Sequence, residues 1–218
     1  MNETPVISTD TLKKVAINAT EVRAGDVDVI TEQLGRYPRG LVGIGARCAC
    51  GNPAVTITYP RLPDGTPFPT LFYLSLPALV KRISRIESAG KMVEFNDRLA
   101  HDAAYRAAHE RAHASYVERR NALDDVPEIK DKSAGGMPDR VKCLHALAGY
   151  ALAAGPGVCP AGDEALELVG WDVNVCRCSD PGEFDEPAVP AGASDGADSV
   201  AGKIAGADGV VGQEGGLE

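Results

Sequence analysis

Three groups of residues in this sequence have the types and spacing to do chemistry. The first is the run Ser133-Ala134-Gly135-Gly136-Met137-Pro138-Asp139-Arg140-Val141-Lys142-Cys143-Leu144-His145. Adjacent glycines allow positive φ and close approach of backbone, and Pro138 suits a first helical position, so the run predicts a tight loop feeding a helix over 138–154. The free amides of a helix N-terminus favour an anion, which makes Gly135, Gly136 and Arg140 candidates for holding a phosphate or carboxylate. On that helix Arg140 shares a side with Leu144, Leu147, Ala148 and Ala151. An inward-leaning guanidinium needs a partner, either a protein carboxylate or a bound anion. Cys143 and His145 offer a nucleophile with a proton carrier, or two metal ligands, although residues two apart on a regular helix do not face each other.

The second group is Cys48-Ala49-Cys50-Gly51, whose spacing is repeated by Cys176-Arg177-Cys178. Four thiolates would complete a closed tetrahedral metal site, although the commoner knuckle separates its cysteines by at least two residues. The third is His109, His113, Tyr116 and Arg120, which recur at helical spacing and share a face. Two histidines four apart can chelate a metal, or one can act as a general base; a partly exposed polar face is the plainer reading.

Elements able to position these groups follow from the hydrophobic period. Residues 26–34 read as a short helix with Asp26 as N-cap and Gly35 as its stop. The β-branched runs 41–47 and 54–59 flank the turn formers Gly51, Asn52 and Pro53 and predict a hairpin, with 70–74 as a third strand. From Pro77 the period approaches four. Helices are predicted from Pro77 to Gly90, from Met92 to Leu99, from Ala103 to Leu123, over 138–154, and from Asp163 to Val169. The fold class is α+β, a small antiparallel sheet of about three strands packed by four to five helices. Residues 1–23 are weakly patterned and read as a flexible leader in which 9–22 could form a loose helix, and 24–178 read as a single domain.

The chain has 218 residues and a formal net charge of -9. Its last stretch, 179–218, has nine acidic residues and one lysine, and so carries -8 of that charge. Being otherwise mostly Gly, Ala, Ser and Pro, it cannot bury enough apolar surface to offset its ordering entropy, and it reads as a disordered acidic tail. The remainder is near neutral, which removes any bulk electrostatic reason to bind nucleic acid or an anionic membrane. No apolar run is long enough to span a bilayer, and the N-terminus lacks a hydrophobic secretory segment, so the expected location is cytoplasmic. There the six cysteines read as free thiols or metal ligands rather than disulfides.

From about Gln33 to Leu168 the sequence resembles a largely actinobacterial family known as domain of unknown function five hundred and one. The resemblance is carried by Gln33-Leu34-Gly35-Arg36, Pro38-Arg39-Gly40, the run from Arg61 to Thr70, the run from Ser133 to His145, and Gly155-Pro156-Gly157-Val158. The family has no assigned activity to carry over. What the resemblance implies is a choice among residues: its pattern includes the Arg47-Cys48 pair, a His then a Tyr at His113 and Tyr116, and Cys143 with His145. Cys50 is less regular, Cys159 stands where the family commonly has Asn, and Leu76 where some members have Cys. The resemblance thus favours a site of Cys48, His113, Cys143 and His145 over four cysteines. The expectation is a protein binding zinc through Cys48, Cys143 and His145, or a small anion at Gly135, Gly136 and Arg140, or both. The alternatives are an enzyme acting on a phosphorylated or other anionic small molecule with His113, Cys143 and His145 as catalytic groups, and a non-catalytic scaffold.

Overall fold

The structure, a computed structural model, describes residues 4–178. The acidic stretch expected to be disordered lies outside the described residues. Helices α1 (Thr9–Val15) and α2 (Asp26–Leu34) precede strands β1 (Leu41–Arg47), β2 (Pro53–Thr58) and β3 (Phe72–Leu74). There follow α3 (Pro77–Ser88), α4 (Lys91–His101), α5 (Ala103–Asn121), a 3-10 turn at Pro127–Ile129, α6 (Leu144–Ala154) and α7 (Pro160–Leu168). The fold is α+β: one antiparallel sheet in the order β1-β2-β3, with seven α-helices among the described residues.

β2 is buried along its whole length as the central strand. Helix α6 packs against all three strands and against α3 and α7. Its sequence LHALAGYALAA is apolar nearly all round and eight of its residues are buried, the pattern of a helix enclosed by the core rather than laid on it. Tyr150 of α6 stacks on Phe72 of β3 at 5.7 Å and meets Tyr116 of α5 edge-on at 5.0 Å. Each such ring removes roughly 150–250 Å² from water, several kcal/mol at about 25 cal/mol per Å². Their hydroxyls are satisfied: Tyr150 donates to the Ala112 carbonyl at 3.1 Å, and the Leu71 amide donates to the Tyr116 hydroxyl at 2.6 Å. Asp102 ends α4 and caps α5, accepting from the amides of Ala104 and Tyr105.

Three local departures from the sequence reading have physical causes. The segment read as a flexible leader contains α1, where Leu12 and Val15 are fully buried and Ser8 caps the first turn. Arg119 holds the Val15 carbonyl at 2.8 Å and Thr20 bridges to Ile44, so packing supplies what a seven-residue helix lacks alone. At α2 the N-cap is Gly25, and the Asp26 carboxylate instead accepts from the Arg23 amide and pairs with Arg47. Helix α6 begins at Leu144, six residues after Pro138. Asn96 of α4 both donates to the Val141 carbonyl at 2.8 Å and accepts from its amide at 2.9 Å. Those backbone groups are committed elsewhere, so the helix cannot start before them.

Candidate metal centres and the adjoining pocket

The tip of the β1-β2 hairpin is a tight turn in which the Cys48 amide donates to the Asn52 carbonyl and the Gly51 amide to the Cys48 carbonyl. Arg47 anchors it from behind: its guanidinium forks onto Asp26 at 2.9 and 2.7 Å and donates to the Gly51 carbonyl at 2.9 Å. After α7 the chain returns past this tip. Cys48, Cys50, Cys176 and Cys178 converge there, with all four sulfurs within 4.8 Å of one another and those of Cys50 and Cys178 3.4 Å apart. Cys48 is buried, whereas Cys50 and Cys176 are exposed. Burial pushes the Cys48 thiol up, but the Arg177 and Cys50 amides and the Cys178 and Cys176 thiols outweigh it and bring the pKa down to about 7. The same neighbours leave Cys178 raised, first by burial and then by the Cys50 and Cys48 sulfurs. Four sulfurs brought this close by two separate segments could hold a metal ion, which would take the place of their protons.

Cys143 and His145 belong to a different cluster, together with Glu87 at the end of α3. Cys143 is the N-cap of α6 with extended backbone (φ -147°, ψ 109°). Spacing by two therefore does not separate the pair as it would inside a helix, and Cys143 Sγ lies 4.0 Å from His145 Nδ1. Glu87 Oε1 is 3.2 Å from the same nitrogen and accepts from the Leu144 amide at 2.6 Å. The far nitrogen, Nε2, is 3.0 Å from Ser84 Oγ and 3.1 Å from the Val80 carbonyl. The His145 contact lowers the Cys143 pKa against the effect of burial, and the Cys143 contact, helped by Glu87, raises that of His145.

Cys143 and His145 line a pocket of about 1030 Å³ whose rim includes Gly135, Gly136, Lys132, Arg140 and Lys142. Both glycines have positive φ, 67° and 96°. A Cβ on Gly136 would stand 2.7 Å from the Arg140 carbonyl oxygen, so no other residue fits that turn. The loop folds on itself, with the Arg140 amide donating to the Gly136 carbonyl and the Lys142 amide to the Gly135 carbonyl. Two sequence inferences change accordingly. The glycines do not open a helix N-terminus: the first amide of α6 is already bound by Glu87. Arg140 is exposed at the pocket rim rather than leaning into the core, because the residues around it are not helical.

His113 lies outside the Cys143 cluster and supports the loop. Its Nδ1 is 2.9 Å from Ser133 Oγ, which donates onward to the Met137 carbonyl, and burial foremost lowers its pKa. His109 is almost fully buried with neither ring nitrogen in a hydrogen bond of good geometry, and Arg120 is buried holding the carbonyls of Lys130 and Lys132. This face of α5 is an inner wall rather than a chelating pair. Thus the zinc triad Cys48, Cys143 and His145 expected from the sequence is divided between two clusters. Glu87 and Ser84 escape sequence reading, since nothing local marks Glu87 as the partner of Leu144, 57 residues away. Cys50, Cys176 and Cys178 carry a visible signal in their matched spacing.

These features define a class: an α+β protein with two potential metal-ligand clusters, one of them beside a pocket. The family described as Protein of unknown function (DUF501) matches residues 44–167, more than half of the chain, and the chain belongs to that family. No curated protein and no solved structure matches it. No helix among the described residues is long and apolar enough to cross a membrane.

Proposed function

We propose that this protein binds zinc at Cys48, Cys50, Cys176 and Cys178, where the ion fastens the segment after α7 to the hairpin tip, and that the neighbouring pocket receives a small anionic molecule. The observation that carries the reading is the convergence of four sulfurs from two segments far apart in sequence. Thiolate-only tetrahedral sites suit zinc or iron–sulfur chemistry. Zinc–sulfur bonds of about 2.3 Å set tetrahedral sulfurs about 3.8 Å apart, a spacing that falls between the 3.4 Å of the Cys50–Cys178 pair and the 4.8 Å within which all four sulfurs lie. The pocket reading is supported by Lys132, Arg140 and Lys142 on the rim against Asp131 and Asp139. Elemental analysis of full-length protein purified without chelator tests the zinc reading. One equivalent of zinc lost in the double variant Cys50→Ser, Cys178→Ser is the expected result; the same zinc content in both proteins refutes it. A second reading, an enzyme acting on an anionic small molecule, is favoured by Cys143 and His145 lining that pocket.

A further inference from the structure

We infer that Glu87, Cys143 and His145 form a second metal site, of open type, whose remaining coordination position faces the pocket and takes water or an anionic ligand. This inference does not depend on the four-cysteine site. It starts from the protons on His145. Ser84 Oγ donates its hydrogen to the Val80 carbonyl at 2.9 Å, so toward Nε2 it can only accept, and the Val80 carbonyl can only accept as well. Nε2 therefore carries the ring proton. The other ring nitrogen, Nδ1, faces Glu87 Oε1 at 3.2 Å and Cys143 Sγ at 4.0 Å. A nitrogen, a carboxylate oxygen and a sulfur that all lie within 4.8 Å of one another can share one positive centre, a proton or a metal ion.

The geometry points to the metal. Tetrahedral zinc with ordinary bond lengths separates a nitrogen and an oxygen ligand by about 3.3 Å and a nitrogen and a sulfur by about 3.6 Å. A proton on Nδ1 would serve Glu87 but leave the sulfur at the outer limit of any hydrogen bond. The surroundings are those of a metal ligand set: the second nitrogen of the imidazole is fixed by a backbone carbonyl, and the carboxylate by the Leu144 amide. Three protein ligands leave a position open, and it is Cys143 and His145, not Glu87, that border the pocket with Gly135, Gly136 and Arg140. A metal in this place activates a water or binds a phosphate or carboxylate oxygen.

The test uses full-length protein loaded with zinc, and in parallel with cobalt(II), whose visible spectrum separates four-sulfur from one-sulfur coordination. His145→Ala and Glu87→Gln are compared with wild type; the glutamine keeps an acceptor for the Leu144 amide, so its fold is retained and circular dichroism verifies this. The expected result is a loss of one metal equivalent in both variants, with the four-sulfur cobalt bands unchanged. Inorganic phosphate should shift the remaining one-sulfur bands in wild type alone. Wild-type metal content in the folded Glu87→Gln protein, or a wild-type spectrum with four-sulfur bands only, overturns the second site and leaves the first standing. Loss of the four-sulfur bands in the Cys50→Ser, Cys178→Ser double variant, with one-sulfur bands retained, supports the second site separately.

Discussion

The two clusters use similar ligands in opposite settings. At the hairpin tip the cysteines stand on irregular backbone, two of them exposed, and the returning segment after α7 meets the tip at the Cys50 and Cys178 sulfurs. Around His145, by contrast, the groups stand at the ends of α3 and α6 and are braced by protein from behind: Glu87 by the Leu144 amide, Nε2 by Val80 and Ser84. The first arrangement is one that a metal would hold together; the second is held together by the fold and offers itself to a metal. Metal removal should consequently unfasten the first and leave the second in shape.

The largest effect is expected at the tip. Zinc bound to the native state at a free concentration about 1,000-fold above its dissociation constant contributes about 4 kcal/mol. For a domain of this size that corresponds to a Tm higher by about 8–16 °C. A strong chelator, or the Cys50→Ser, Cys178→Ser double variant, should lower the Tm by that amount and speed hydrogen exchange of the amides at 172–178. His145→Ala should lower it far less. Equal Tm losses from the two clusters would erase the distinction between them.

How much of this was readable beforehand follows the range of the interactions. The hairpin, the third strand and the helices from Pro77 onward are written in local periodicity, and the matched spacing of Cys48-Ala49-Cys50 and Cys176-Arg177-Cys178 points to a shared site even though its closure is long-range. The start of α6 is not written locally, because Pro138 and the glycines favour an earlier start and only Asn96, from another helix, forbids it. The same holds for Glu87. Placing Arg140 on the inner side presupposes a helix over 138–143, which the tertiary structure does not form, and Arg140 is exposed.

A smaller effect, and one with a pH signature, is expected behind the tip. Asp26 is buried beside Arg47; burial raises its carboxyl pKa, but the Arg47 hydrogen bonds and charge and the Arg23 amide outweigh it, and the net shift is downward. A lowered carboxylate contributes stability that is present above its unfolded value, about 3.9, and is lost as pH falls through the folded value below it. Asp26→Asn leaves Arg47 without its charge partner and should cost about 3 kcal/mol at neutral pH. Denaturant melts should show the gap between wild type and variant closing at the acid end. A gap that stays constant to pH 2 would mean that the ion pair does not anchor the tip.

The smallest effect should come from the one cysteine that belongs to neither cluster. Cys159 is fully buried at the N-cap of α7, and burial first of all pushes its thiol up to about 12. A neutral thiol without solvent access is neither nucleophile nor ligand; it fills space as a small apolar group. Cys159→Ala should therefore leave zinc content and cobalt spectrum untouched and cost only about 1 kcal/mol, the order expected for removing one small buried group. In metal-free native protein a thiol reagent should modify Cys50 and Cys176 quickly and Cys143 more slowly, reaching Cys159 only on unfolding. Rapid native labelling of Cys159 would show that α6 and α7 open at their contact, and the rigidity ascribed to the Cys143 cluster, which is built on the first turn of α6, would then have to be abandoned as well.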